Sequence, residues 1–235
     1  MHLAKMKLYL IRHAESEHNV AQVYAGVTDS ALTNHGMLQI EKLVDYFRQQ
    51  DVRFTRVFCS PLQRARVTAD ALKYHGDTEV QLFIVPCLRE KKFGSLEGKS
   101  WVSSHAAEKQ GEGNFVPAES HEELSSRARG FLDDHLFPLL HDGEDEETVA
   151  VVSHGIILSV LWRTLKQMCD PLNLTFGPFA SLDSHSIIWS NTGYLELELN
   201  GMPSNLSIKG VLAALSMTRS KERWNLSSGL RHNII

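Results

Sequence analysis

Apolar residues run along this chain in two alternating rhythms. The segments 7–12, RVFCS at 56–60, VQLFIV at 80–85 and TVAVVS at 148–153 are short, nearly continuous apolar runs bounded by charged or turn-forming residues. That pattern predicts strands buried on both faces of a sheet. Between them the period lengthens. Met37, Ile40, Val44 and Phe47 recur at i, i+3, i+7 and i+10 and predict a helix from Thr33 to about Gln49. Leu62, Ala65, Ala69 and Leu72 mark one face of a second helix, with Pro61 in its first turn. Ser120 and Glu123 have the spacing of a capping box and predict a helix to about residue 140, kinked at Pro138. A further helix is predicted from Gly155 to about Met168. SIIWS (186–190) and YLELEL (194–199) flank NTG and predict an antiparallel hairpin. Residues 91–119 carry four glycines and Pro117 without a clean period, which predicts loops with one short helix. Strands alternating with helices predict an α/β fold of three layers, α/β/α, around a mostly parallel sheet.

Composition narrows the function. At 235 residues, 43% apolar and 22% charged, the chain has the make-up of an ordinary globular protein, expected to form one domain over 1–235 with residues 204–235 as a tail of no assigned role. A net charge of −4 creates no basic field, so neither nucleic acid nor an acidic membrane is an expected partner, and any anion site must be local. Cys59, Cys87 and Cys169 form no CxxC pair and no even set, which reads as reduced, mostly buried thiols of a cytoplasmic protein, with a nuclear location left open. The first apolar run is shorter than a signal core and no run reaches the length of a membrane span. Oligomeric state stays open, a homodimer being one option.

The chemistry sits where strands end. LYLIRHA and VAVVSHG are built alike: an apolar strand, one polar residue, a histidine, then a small residue. Parallel in one sheet, they deliver His13 and His154 to the same edge, where ligands collect in such folds. RVFCS leads to Arg64 and VQLFIV to Glu90, so four strand ends present Arg12, His13, Arg64, Glu90 and His154 to one crevice. Two guanidiniums and an imidazolium match a phosphate dianion. One imidazole is a nucleophile for phosphorus, and a carboxylic acid of raised pKa is a donor to the leaving alkoxide. No HExxH and no Cys/His cluster is present, so no metal and no cofactor is expected.

The chain resembles the histidine phosphatase superfamily, the phosphoglycerate mutase-like proteins, over roughly residues 7 to 200. LIRHAESEHN, SPLQRARVTA, LREKKFGSLEG and VVSHG carry the likeness, with ALTNHG and GEGNFVPAES in support. The resemblance implies a phosphoglycerate mutase-like fold, His13 as the phosphorylated nucleophile, and Arg12, Arg64 and His154 around the phosphoryl group. Glu90 is implied as the proton donor. Asn19, Gly26 and the Gly155 N–H are implied on the substrate side. Ala14 stands where the family has glycine, which costs freedom at positive φ, and VPAES is a shortened form of a longer family segment. Phe93 lacks the hydroxyl found there in mutases, and residues 100–119 lack their paired arginines. The expected activity is therefore hydrolysis of a small phosphorylated metabolite such as a sugar phosphate. A cofactor-dependent phosphoglycerate mutase is the alternative, and a retired binding protein on the same fold the second. Trp101, Phe115, Phe176 and Phe179 are candidates to shape the pocket for the alcohol.

Overall fold

A computed structural model of the chain describes residues 5–75, 78–101, 115–141, 146–170, 173–176, 187–201 and 206–213. Its centre is a seven-stranded sheet of β1 (Lys5–Arg12), β2 (Arg56–Cys59), β5 (Gln81–Ile84), β6 (Glu147–Ser153), β7 (Leu174–Phe176), β8 (Tyr194–Asn200) and β9 (Ser207–Ala213). Their spatial order is β5-β2-β6-β1-β8-β9-β7. The pairs β5/β2, β2/β6, β6/β1 and β9/β7 are parallel, while β8 runs antiparallel to β1 and β9. A two-stranded ribbon, β3 (Tyr74–His75) with β4 (Thr78–Glu79), lies apart, and a short helix, α1 (Glu17–Ala21), follows β1.

The period of two in β1 divides the core. Met6, Leu8 and Leu10 pack with Leu124, Ala128 and Phe131 of α4 (His121–Phe131) and with Ile157, Leu158, Leu161 and Leu165 of α6 (Gly155–Met168). Tyr9 and Ile11 point the other way, onto Leu43 and Phe47 of α2 (Asn34–Gln49) and Ala65 and Ala69 of α3 (Gln63–Asp70). Helices on both faces of a mostly parallel sheet are the expected three layers. Thr33 caps α2 by accepting the Gly36 N–H. Gly36 itself is needed because a Cβ there would overlap the Glu15 carbonyl, so its small size lets α2 start against the chain that leaves β1. Among the described residues, no helix is long and apolar enough to cross a membrane.

Two local expectations are corrected and one is refined. Pro61 precedes α3, whose N-cap is Leu62. The helix opened by the Ser120–Glu123 capping box keeps α-geometry only to Phe131. It then widens into a π-turn, Leu132–Leu136, before the short α5 (Pro138–His141). Pro138 lacks an N–H and its ring crowds the carbonyl four residues back, and the Phe137 N–H reaches Leu132 instead. No hairpin joins 187–190 to β8: both edges of β8 are occupied, by β1 and by β9, and residues 187–190 form no strand.

Candidate active site

The register of β1 and β6 sets the site. Arg12 pairs with Ser153, so His13 and His154 each stand one residue beyond the last pair, with ring centroids 5.0 Å apart. β2 runs along the other side of β6 and hands the chain to α3, which carries Arg64 inward, 1% exposed. Beyond β5, Glu90 arrives from the segment after a 3-10 turn, Pro86–Leu88. Arg12, His13, Asn19, Arg64, Glu90 and Gly155 thereby line one cavity of about 570 Å³ at the carboxyl ends of the parallel strands.

Hydrogen bonds assign the protons. His13 Nδ1 lies 2.7 Å from the Ala14 carbonyl oxygen, which only accepts, so Nδ1 carries the hydrogen and Nε2 keeps its lone pair. Burial first, then Arg12 and Arg64, hold the His13 pKa well below the usual imidazole value. It is a neutral imidazole with one free nitrogen. His154 is pinned the opposite way. Arg64 Nε donates to its Nδ1 at 3.2 Å, so the proton sits on Nε2 and goes to Ser60 Oγ at 2.8 Å. Burial, His13 and the two arginines keep His154 neutral as well, which corrects the expected imidazolium.

Arg64 is largely committed to the protein. Nη1 donates to Thr28 O (2.9 Å), and Nη2 to Ala25 O (2.6 Å) and Gly26 O (2.8 Å), leaving one Nη1 hydrogen for a ligand. Gly26 therefore serves Arg64 through its carbonyl. A Cβ there would overlap Glu97 and the Lys91 carbonyl, and Ala25 lines the cavity in its place. Glu97 fixes this loop by accepting from the Val27, Thr28 and Phe93 N–H groups and the Thr28 hydroxyl. Arg12 is the freer cation: Nη1 donates to Trp189 O at 2.6 Å, whereas its buried Nε has no partner. Asn19 accepts on Oδ1 from Ser16 and from Asn191 Nδ2, which leaves its own amide hydrogens for the cavity.

Glu90 acts as the missing cap of α6. Its Oε1 accepts from the Lys91 N–H (2.8 Å) and the Ile157 N–H (3.3 Å), and its Oε2 from the Ile156 N–H (3.1 Å), which leaves the Gly155 N–H to the pocket. Burial raises the Glu90 pKa against the lowering effect of those N–H groups and of Arg64 and Arg12. Oε2, with one donor fewer, is the oxygen with room for a proton. A neutral imidazole with an open lone pair, unpartnered guanidinium and amide donors, and a carboxyl of raised pKa can together transfer a phosphoryl group.

The family model of the histidine phosphatase superfamily, branch 1, matches residues 8–186. The chain belongs to the histidine phosphatase superfamily. A probable phosphatase of Schizosaccharomyces pombe is 35% identical over 219 residues, covering 88% of this chain and 73% of its own. The broad-specificity phosphatase of Saccharomyces cerevisiae is 30% identical over 164 residues, 68% of this chain and 70% of its own. The solved mycobacterial glucosyl-3-phosphoglycerate phosphatase shares the fold with a TM-score of 0.68 at 18% identity, over 89% of this chain and 99% of its own.

Sequence reasoning passed over several residues that hold this histidine phosphatase site together. Asn191 donates both to Asn19 Oδ1 and to the His13 carbonyl, each at 3.1 Å. Thr192, at φ 57°, turns its N–H onto the Arg12 and His13 carbonyls, a left-handed conformation that is costly for a β-branched residue. The NTG segment thus ties down the end of β1. Ala14, by contrast, is absent from the positive-φ residues, so the glycine it replaces is not needed. Arg127 forms a bidentate pair with Glu119 (2.5 and 2.9 Å) and donates to the carbonyls of Cys87, Arg89 and Glu90, while Glu119 takes the Lys92 N–H. VPAES, with Arg127, is therefore the clamp behind Glu90. Of the aromatic candidates, Trp101 lines the cavity with Tyr24, Phe93 and Trp189. Phe115 is 74% exposed and outside it, Phe176 belongs to edge strand β7, and Phe179 lies outside the described residues.

Proposed function

We propose that this chain is a metal-independent phosphatase of small phosphomonoesters working through a phosphohistidine on His13. The observation that carries the reading is the His13 ring, whose Nδ1–H is spent on Ala14 O, which leaves Nε2 free in a side chain lining a cavity shared with Arg12, Asn19 and Glu90. In the first step Nε2 forms a bond to phosphorus and the ester P–O bond breaks, its electrons leaving with the alcohol oxygen, which takes the Glu90 proton. The Arg12 guanidinium, the Asn19 amide, the remaining Arg64 hydrogen and the Gly155 N–H hold the phosphoryl oxygens. His154, bound on both nitrogens, positions Arg64. In the second step water loses a proton to Glu90 and attacks phosphorus, the P–N bond breaks, and His13 is regenerated. Nucleophile, cations and acid all come from the chain, and no step needs a metal. Phe93 in the cavity wall, without a hydroxyl, supports hydrolysis over mutase chemistry. A sugar phosphate or similar metabolite is the substrate class carried forward. A single domain over 1–235 and the cytoplasmic location expected from the cysteines are part of the same reading; the sheet joining β1 to β9 supports the first.

The test is an alkaline quench of turnover with a phosphorus-labelled ester in EDTA, since phosphohistidine survives alkali. Label on the wild-type protein, and neither label nor turnover in a folded His13→Ala variant, are expected. Turnover by that variant overturns the assignment.

A further inference from the structure

The cavity does not end at the phosphate pocket. Gly155, Ser159 and Arg163 repeat every four residues along α6, and all three line it together with Ile156 and Val160 between them. Eight residues at 1.5 Å each place Arg163 about 12 Å along the helix from the Gly155 N–H. The intervening wall of Ile156, Val160, Leu124 and Trp189 carries no charge.

Arg163 also differs from five of the chain's other arginines. Arg48, Arg53, Arg56, Arg127 and Arg129 each pair with a carboxylate. Among the described residues Arg163 has no such pair, and its hydrogen bond goes to His121 Nε2 at 3.3 Å. A guanidinium only donates, so His121 accepts on that nitrogen and leaves most Arg163 hydrogens uncommitted. Lys91, held over the Phe93 ring, adds a fourth cation to the lining, where Glu90 is the one carboxylate among the described residues. Arg12, Arg64, Lys91 and Arg163 outweigh Glu90 and one phosphate dianion by at least one positive charge.

We propose that Arg163, braced by His121, is a second anion subsite, so that the preferred substrate is a phosphomonoester whose alcohol portion bears a further carboxylate or phosphate across an apolar stretch. The proposal rests on the phosphatase reading of the inner pocket and deepens it. Arg163 sets specificity and takes no part in the chemistry at phosphorus.

Phosphorylated 4-hydroxybenzoate, 4-hydroxyphenylacetate and 4-hydroxyphenylpropionate, each compared with its neutral amide, test the subsite at three reaches. For at least one length the acid should exceed the amide about tenfold in kcat/KM, the equivalent of 1.4 kcal/mol. Arg163→Ala should abolish that preference and leave the amide within about twofold, as expected for an exposed surface substitution. The same pairs titrated into His13→Ala protein read binding without turnover. Acid preference there, lost on adding Arg163→Ala, supports the subsite even if the wild type hydrolyses nothing, a result that would sink only the phosphatase reading. No preference at any length, or equal losses for acid and amide, overturns the subsite.

Discussion

Glu90→Gln isolates the proton from everything else Glu90 does. The side chain keeps its size and one acceptor oxygen, so the Lys91 and Ile157 N–H groups keep their partner, while the amide nitrogen replaces Oε2 and leaves the Ile156 N–H unmet. Losing one hydrogen bond to a charged acceptor costs about 1.5–3 kcal/mol of stability. Removing a carboxylate whose burial is unfavourable offsets part of this, because burial raises the Glu90 pKa. The sign follows. A carboxyl with a raised folded pKa contributes stability that is fully present below the unfolded value of 4.5, and that stability is lost as pH rises through the raised folded value. Urea unfolding of the variant should therefore lack this decline, and its deficit against wild type should be largest in acid and shrink toward neutrality. In catalysis, a positioned acid is worth about 10²–10⁴-fold, realised only when the leaving oxygen needs a proton. In kcat/KM, which reports only the step up to departure of the alcohol, a simple alkyl phosphate should fall by that factor, whereas 4-nitrophenyl phosphate, whose phenolate leaves unaided, should lose less than about tenfold. The alkaline fall in wild-type kcat/KM for the alkyl ester, where the raised-pKa proton is lost, should disappear. Equal losses on alkyl and nitrophenyl esters, or an unchanged pH profile, would refute Glu90 as the acid and reduce it to a cap of α6.

Two further perturbations probe the supports. Arg127→Ala leaves Glu119 as a mostly buried charge without its partner, the pair being only 19% and 13% exposed. It should cost about 3 kcal/mol in urea unfolding, the lower end for a buried pair because some solvent remains. Because the freed carbonyls include that of Glu90, alkyl phosphate turnover should drop more than nitrophenyl phosphate turnover; a stability loss with equal kinetic effects would leave the clamp merely structural. Asn191→Ala removes two neutral hydrogen bonds that orient Asn19 and the end of β1, and each is worth about 1 kcal/mol. The inhibition constant of inorganic phosphate should rise about fivefold or more with little change in the nitrophenyl phosphate kcat. An unchanged constant would show that Asn19 needs no such brace.

Much of this site was legible in the chain because its chemistry is local. Each of Arg12, His13 and His154 directly ends an apolar run, and Arg64 and Glu90 follow a few residues after one, so calling the strands placed all five at one sheet edge. The capping box at Ser120 and the helix from Gly155 to Met168 are likewise short-range facts, fixed by hydrogen bonds three or four residues apart and by a period that repeats within one element. What escaped depends on contacts across the fold. NTG looks like a hairpin turn until β8 is seen between β1 and β9, and Asn191 gains its meaning from Asn19, which lies 172 positions away in sequence. His154 looks like a cation until Arg64 and Ser60 are found on its two nitrogens. Charge state is set by burial and by whatever packs nearby in space, and an isolated helix surface gives no sign that Arg163 overlooks a cavity. The sequence by itself determined which groups are present and which strand ends carry them; only the tertiary structure decided how those groups are held and protonated, because hydrogen bonds and desolvation act between neighbours in space rather than along the chain.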